Sequence, residues 1–510
     1  MFSSILSAVI MGVEAIPIQV EADVSDGLPM FTMVGHVSSQ VKEAQDRVRT
    51  ALRNSGIALP PKRITINLAP GDVRKDGSSF DLPITSSILM AAGEIPVDCM
   101  NETMVVGELG LDGHVRGVVG VLAIVLQAKE MGQKRCVIPR ENYYEGSVVK
   151  GIEVIPISSI KELIEYCVGK KIPKLPTSPK NVKNDEVQID FSDIYGQEGV
   201  KRAAVIAAAG FHNLLMIGPP GSGKTMIAKR IATILPDMSR EEALEVTKIY
   251  SVAGLLPKDT ELIEKRPFRA PHHSISMQAL IGGGRIPKPG EVTLAHRSVL
   301  FLDELSEMPK REIEALRQPL EDKEVTISRV YGSVCFPAAF LLVSAMNPCA
   351  CGHYPDFNKC TCSATSLARY AGRLSRPLLD RLDICVEVPA VSYEAISKKT
   401  KKKDGLDSAK MREMVAKAHA IQAKRYRQEK VTFNAELTGK KIERYCQVES
   451  AGQKLLEMIF EKMDLSTRGY HRIIKTARTI ADIEGCEVIK EEHVSEAVCY
   501  RNPDKDFWRM

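Results

Sequence analysis

Gly218-Pro219-Pro220-Gly221-Ser222-Gly223-Lys224-Thr225 is the stretch from which the rest of the chain is read. It has P-loop spacing, a glycine, four residues, then Gly-Lys-Thr. His212-Asn-Leu-Leu-Met-Ile217 before it predicts a buried strand, and Thr225-Met-Ile-Ala-Lys-Arg-Ile-Ala after it predicts a helix start. A strand, a glycine-rich turn and a helix N-terminus together make an anion site, because backbone N–H groups and the helix dipole both favour phosphate. Gly221 and Gly223 permit dihedrals that a side chain resists. The expected roles are phosphate contact for Lys224 and a Mg²⁺ ligand for Thr225, with ATP as the nucleotide.

Outward from this loop, the composition sets bounds. At 510 residues the chain is long enough for roughly three domains. Hydrophobic residues make up 44% and aromatic ones 5%, so the cores are expected to be aliphatic. A net charge of +5 is compatible with a nucleic-acid partner without requiring one. No run reaches the 18 apolar residues of a membrane span, and the apolar start lacks a basic region before it. The expectation is a cytoplasmic protein with a buried first strand and no membrane partner.

Residues 1–168 read as a first α/β unit. Strands are expected over residues 16–24, 31–34 and 64–68, with short ones at Val137-Ile138 and Val154-Ile155. Helical spacing is seen over residues 40–54, 81–92 and 118–131. Residues 169–189, rich in proline and lysine, read as a linker. A P-loop domain then spans residues 190–390, and a helical, Lys/Arg-rich region 391–510. Within the last region, Arg468, Arg472, Lys475 and Arg478 suggest a lid over the nucleotide and a DNA-facing surface.

Downstream of the loop, Ser298-Val-Leu-Phe-Leu-Asp303-Glu304 is an apolar strand ending in two carboxylates. Asp303 is expected to serve Mg²⁺ and Glu304 to orient the attacking water. Phe340-Leu-Leu-Val-Ser-Ala345 predicts another strand, with Asn347 beyond it as a γ-phosphate sensor. Gly282-Gly-Gly-Arg285-Ile-Pro-Lys288-Pro-Gly290 predicts a projecting loop or hairpin, which makes Arg285 and Lys288 DNA-facing candidates. His272 and His273 read as structural or substrate-contacting residues, with ligation as the alternative. Arg376 and Arg381 offer an arginine finger or an ordinary surface ion pair.

Cys349-Ala-Cys351-Gly-His353 and Cys360-Thr-Cys362 place four thiols close together. In a reducing compartment this suggests a structural Zn²⁺ site, with an iron–sulfur centre or free thiols as alternatives. The eight other cysteines read as buried thiols.

Taken together, the P-loop, Leu300-Phe-Leu-Asp303-Glu304, Asn347 and Leu378-Leu-Asp-Arg381 resemble AAA+ ATPases of the helix-2-insert group, above all the magnesium-chelatase-like family of the ComM and YifB kind. Phe80-Asp-Leu-Pro83, Pro271-His-His273 and Ser466-Thr-Arg468-Gly-Tyr-His-Arg472 extend the likeness over nearly the whole chain. The resemblance implies a hexameric DNA helicase that promotes branch migration in natural transformation. It implies that Arg381 is a trans-acting finger, Arg468 a sensor arginine, residues 275–292 the helix-2 insert, and residues 349–362 a zinc-binding insertion. It also implies a Lon-protease-like first domain of the ribosomal-protein-S5 domain 2-like fold. There Ser79 matches the nucleophile, but Leu122 falls where the lysine base belongs, so no peptidase activity is expected. Protein remodelling, a chelatase-like role and a non-enzymatic ring scaffold are the other readings.

Overall fold

The computed structural model describes all residues except 171, 177–188, 330–331, 357, 391–405, 464 and 502–510. Most of the linker and the lysine-rich stretch around residues 396–404 therefore lie outside the described residues. Two compact units emerge. One holds residues 1–184, 239–264 and 326–336, and the other holds 185–238, 265–325 and 337–510. No helix among the described residues is long and apolar enough to cross a membrane.

The first unit is built on a seven-stranded mixed sheet. Its strands run, edge to edge, Met30–Val34, Arg63–Ala69, Glu14–Ser25, Phe2–Met11, Thr103–Val105, Arg135–Pro139, Glu153–Ile157. Phe2–Met11 and Glu14–Ser25 pair antiparallel from Met11 opposite Glu14 outward, while the last three strands are parallel. Alternating burial along Glu14–Ser25 gives a half-buried strand. The helix expected over residues 40–54 is two, Ser39–Lys42 and Ala44–Asn54, because Glu43 closes the first with bonds to Ser39 and Val41. Asp81–Ala92 is buried on almost every side, so it shows little amphipathic patterning, and Gly93 ends it in the left-handed region. The helix expected from Val118 begins at Val121.

Two later segments also belong to this unit. Helix Arg240–Ala253 opens on a Ser239/Glu242 capping box and ends at Gly254. Its Ser251 hydroxyl donates to Glu145 Oε2 at 2.5 Å, and the Leu122 N–H donates to the same oxygen at 3.3 Å. Burial raises the Glu145 pKa, and these donors oppose that shift. The second segment, residues 326–336, brings Val334 so close to Gly12 that any Cβ there would overlap it.

The second unit has a five-stranded parallel sheet, ordered Phe268–Arg269, Val299–Leu302, Leu341–Met346, Leu214–Ile217, Ile384–Glu387. Leu214, Leu215 and Met216 are fully buried, as expected of a strand covered on both faces. Helices Glu198–Gly210 and Lys224–Ile234 pack beside it, and Ser408–Arg425, Ser450–Met463, Thr467–Ile483 and Glu491–Cys499 follow in the chain.

The DNA-facing reading of the basic residues on Thr467–Ile483 is corrected for three of them. Arg478 is fully buried and pairs with Asp482, which also holds Arg425 at 2.5 Å. Arg472 donates to the Leu382 carbonyl and Lys475 to that of Ala435. These residues recur at helical spacing, and the stripe they form is turned inward. Only Arg468 stays mostly exposed. The reading of the scattered cysteines is corrected too, since Cys335 and Cys499 are exposed and Cys99, Cys167 and Cys486 are half-buried.

Candidate functional site: the carboxyl edge of the parallel sheet

Three strands deliver the site. In an open parallel sheet the strand ends leave a crevice where ligands bind. Leu214–Ile217 ends in the P-loop, Val299–Leu302 ends in Asp303-Glu304, and Leu341–Met346 ends in Asn347. Gly223, at φ 89°, turns the loop into helix Lys224–Ile234. Lys224 Nζ donates to the carbonyls of Gly218 and Pro219 at 2.7 and 2.9 Å, and to Asn347 Oδ1 at 3.2 Å. Burial pushes its pKa down, and the charges of Asp303 and Glu304 pull it back. Thr225 Oγ1 donates to Asp303 Oδ2 at 2.7 Å. A hydroxyl and a carboxylate this close form a hard-oxygen set that suits Mg²⁺.

Glu304 adopts φ 50°, a left-handed conformation that a non-glycine residue adopts at a cost of roughly 1 kcal/mol. Its Oε2 lies 3.0 Å from His273 Nδ1. His272 instead lies against the His273 ring and bonds Ser274. Sequence reasoning left the two histidines undivided. The signal was their position just after strand Phe268–Arg269, which pairs with the strand ending in Glu304.

Arg381 and Arg468 form a separate cluster. Glu321 accepts from both, Arg468 at 3.0 Å and Arg381 in a shorter bond. The Arg381 carbonyl accepts from Asn213 at 2.9 Å. Asn213 precedes strand Leu214–Ile217, whereas the P-loop follows it. At ~3.3 Å per residue, Asn213 and Gly218 are about 16 Å apart. The pair therefore sits at the amino edge of the sheet, and the structure does not bring Arg381 or Arg468 to Lys224 of the same chain.

The four clustered thiols, Cys349, Cys351, Cys360 and Cys362, lie within 4.8 Å of one another. Three of the Sγ separations are 3.3, 3.5 and 3.9 Å. Tetrahedral Zn–S bonds of ~2.3 Å imply edges of about 3.8 Å, so this donor set fits Zn²⁺. The His353 backbone N–H, with the neighbouring thiols, holds the Cys351 thiol down to about 5. The thiol loop lies against the P-loop. A Cβ on Gly352 would come within 2.6 Å of Pro220 Cδ. Cys351→Ser is expected to lower bound zinc from one equivalent per chain to nearly none, read by elemental analysis. Unchanged metal content would remove the assignment. Gly352→Val is expected to weaken nucleotide binding about tenfold, the effect of overpacking by ~1–3 kcal/mol, measured by titration with a fluorescent ATP analogue.

Arg285 and Lys288 are both exposed. They lie on and beside a short hairpin in which Gly282–Gly283 pairs with Lys288–Pro289. Between them Ile286 is 46% exposed.

A parallel sheet carrying a P-loop, an acid pair and an asparagine at its carboxyl ends defines a P-loop protein of the AAA+ ATPase-like class. The chain belongs to the magnesium chelatase ChlI-type family. Residues 190–396 match the model described as magnesium chelatase, subunit ChlI. Residues 20–142 match subunit ChlI of Mg-chelatase, and 405–501 match magnesium chelatase, subunit ChlI C-terminal. Competence protein ComM of Haemophilus influenzae is 43% identical over 96% of both chains. YifB of Escherichia coli is 42% identical over 97% of this chain and 96% of its own. Lon protease 2 of Bacillus subtilis is 32% identical over 130 residues, 25% of this chain and 23% of its own.

Proposed function

We propose that the chain is an ATP-hydrolysing ring motor, a hexamer, that acts on branched or single-stranded DNA in the cytoplasm and drives branch migration. The observation that carries the ATPase reading is the convergence of Lys224, Thr225, Asp303 and Asn347 through direct bonds at one sheet edge. Lys224 exchanges its carbonyl partners for phosphate oxygens, and Thr225 and Asp303 hold Mg²⁺. That ion, when bound, neutralises charge on the β- and γ-phosphates. Glu304 orients the attacking water, Asn347 senses the γ-phosphate, and the Arg381/Arg468 pair serves the nucleotide of an adjoining copy. Zinc on the four thiols is structural.

The DNA assignment draws on the likeness to a competence protein and on the exposed Arg285–Ile286–Lys288 tip. Cations there suit phosphates and an apolar residue suits an unstacked base step. The first unit is read as a peptidase-inactive relative of the Lon proteolytic domain. Leu122 is fully buried where a lysine base is needed. Lys75, also fully buried, gives its ammonium to the Pro70 carbonyl.

The test is steady-state ATPase activity titrated with four-way-junction DNA at fixed salt, with casein and no polymer as controls. Several-fold stimulation by the junction, lost in Arg285→Ala/Lys288→Ala, is expected. Turnover indifferent to DNA would overturn the motor-on-DNA reading, and stimulation by casein with peptide release would restore the protease.

A further inference from the structure

The thiol loop both enters and leaves beside the carboxyl edge of the parallel sheet. Cys349 lies two residues beyond Asn347. Ser363, which follows Cys362, caps helix Ala364–Ala371 by accepting the Ser366 N–H at 3.2 Å. Near the end of that helix Tyr370 turns back towards the strand ends and is buried. Its hydroxyl donates to the Asn347 carbonyl at 3.1 Å and lies 2.6 Å from Ser306 Oγ. A phenol has a single proton to give. With that proton on Asn347, Ser306 must be the donor in the second contact. The result is a directed relay, from the Ser306 hydroxyl to the Tyr370 hydroxyl to the Asn347 carbonyl.

Both ends of the relay belong to the candidate site. Ser306 lies in the single turn Leu305–Glu307, directly after Glu304. The Glu307 N–H donates to the Glu304 carbonyl at 2.7 Å. Arg373, three residues beyond Tyr370, donates to the Ser306 carbonyl at 2.7 Å and to Glu307 Oε2 at 2.8 Å. The left-handed φ of 50° at Glu304 persists only where surrounding contacts enforce it. At the other end, the Asn347 side-chain oxygen accepts from Lys224, and its backbone carbonyl accepts from Tyr370. One hydroxyl therefore joins the strand end that carries the acid pair to the strand end that carries Asn347. These two contacts involve no atom of the P-loop. Because its helix starts at the last thiol, Tyr370 also closes the thiol loop back onto the residue from which that loop departs.

We propose that Tyr370 is a positioning residue for hydrolysis, whose hydroxyl holds Glu304 and Asn347 in register across two strand ends. The proposal rests on the ATPase reading of this site. Tyr370 acts through those two residues, and phosphate binding is left to the P-loop, so loss of the hydroxyl falls on turnover. Phenylalanine keeps the ring beneath Arg373, whose guanidinium carbon lies 6.0 Å from the ring centroid. What it removes is the middle of the relay, leaving the buried Ser306 hydroxyl and the Asn347 carbonyl without their partner.

The experiment compares full-length Tyr370→Phe and Ser306→Ala with the parent in steady-state ATP hydrolysis, in equilibrium binding of a fluorescent ATP analogue and in thermal melts. Tyr370→Phe is expected to lower kcat about tenfold, the loss that an unsatisfied buried group implies. KM and the analogue affinity should stay within about twofold of the parent, the signature of an interaction that matters only in the transition state. Ser306→Ala keeps the Tyr370–Asn347 bond and is expected to lower kcat by about threefold, while the double variant is no slower than Tyr370→Phe, because members of one relay do not add. Ser306→Ala carries the test alone if Tyr370→Phe fails to fold. A tyrosine that only supports the fold would lower the melt and the analogue affinity together with turnover. That pattern, or a kcat equal to the parent's in the folded variants, overturns the proposal and leaves the ATPase reading standing. A parent that hydrolyses no ATP overturns both.

Discussion

Glu304→Gln is expected to bind ATP and to lose about 10²–10⁴-fold in turnover, the range that a positioned general base contributes. Glutamine keeps the length of the side chain and can still bond His273, so the geometry beyond Asp303 persists. What it removes is the carboxylate charge that accepts a proton from water. The backbone of residue 304 is already committed, because its N–H donates to Asp303 Oδ1 at 3.0 Å and its φ is 50°. The effect should therefore fall on kcat and leave the nucleotide affinity near that of the parent. Single-turnover hydrolysis with labelled ATP, alongside equilibrium binding, separates the two. A variant that keeps a tenth or more of parental turnover would remove Glu304 from its role.

Arg381→Ala is expected to lower turnover about 10³-fold or more, as loss of an arginine finger does. The geometry adds a sharper expectation. Arg381 belongs to the amino edge of the sheet and Lys224 to the carboxyl edge, so on the proposed function the arginine would serve a nucleotide bound by a different copy. Mixing Arg381→Ala protein with Lys224→Ala protein should then restore part of the activity that each lacks alone. The first supplies a sound P-loop and the second a sound arginine. If mixtures stay as inactive as either component, the arginine does not act between copies. The same reasoning places Arg468 with Arg381, since Glu321 holds both.

Much of this site was legible in the sequence because its chemistry is local. The P-loop needs glycines at fixed spacing. Asp303-Glu304 and Asn347 each follow an apolar run, so strand ends could be placed before any contact was known. Helix Asp81–Ala92 was readable in extent from its composition and from Gly93, although its all-round burial blurs the amphipathic period. The rest depends on long-range packing. Nothing in the pattern announces that Arg478 is turned inside the fold to an Asp482 it shares with Arg425, so a basic helix reads as a surface. The His273–Glu304 contact joins residues that follow two neighbouring strands. The break at Glu43 turns on which carbonyls one N–H reaches, and helical periodicity does not encode that.

The assignment of residues 239–264 and 326–336 to the first unit bears on how the protein can be dissected. The chain passes between the units five times, after residues 184, 238, 264, 325 and 336. A polypeptide starting at residue 185 would carry helix Arg240–Ala253 without the apolar cluster of residues 8–149 on which its Leu244 and Val252 pack, leaving those side chains facing water. Shortened versions of this protein would thus report the stickiness of orphaned surfaces, and the contribution of the N-terminal half is better probed by point substitution in the intact polypeptide.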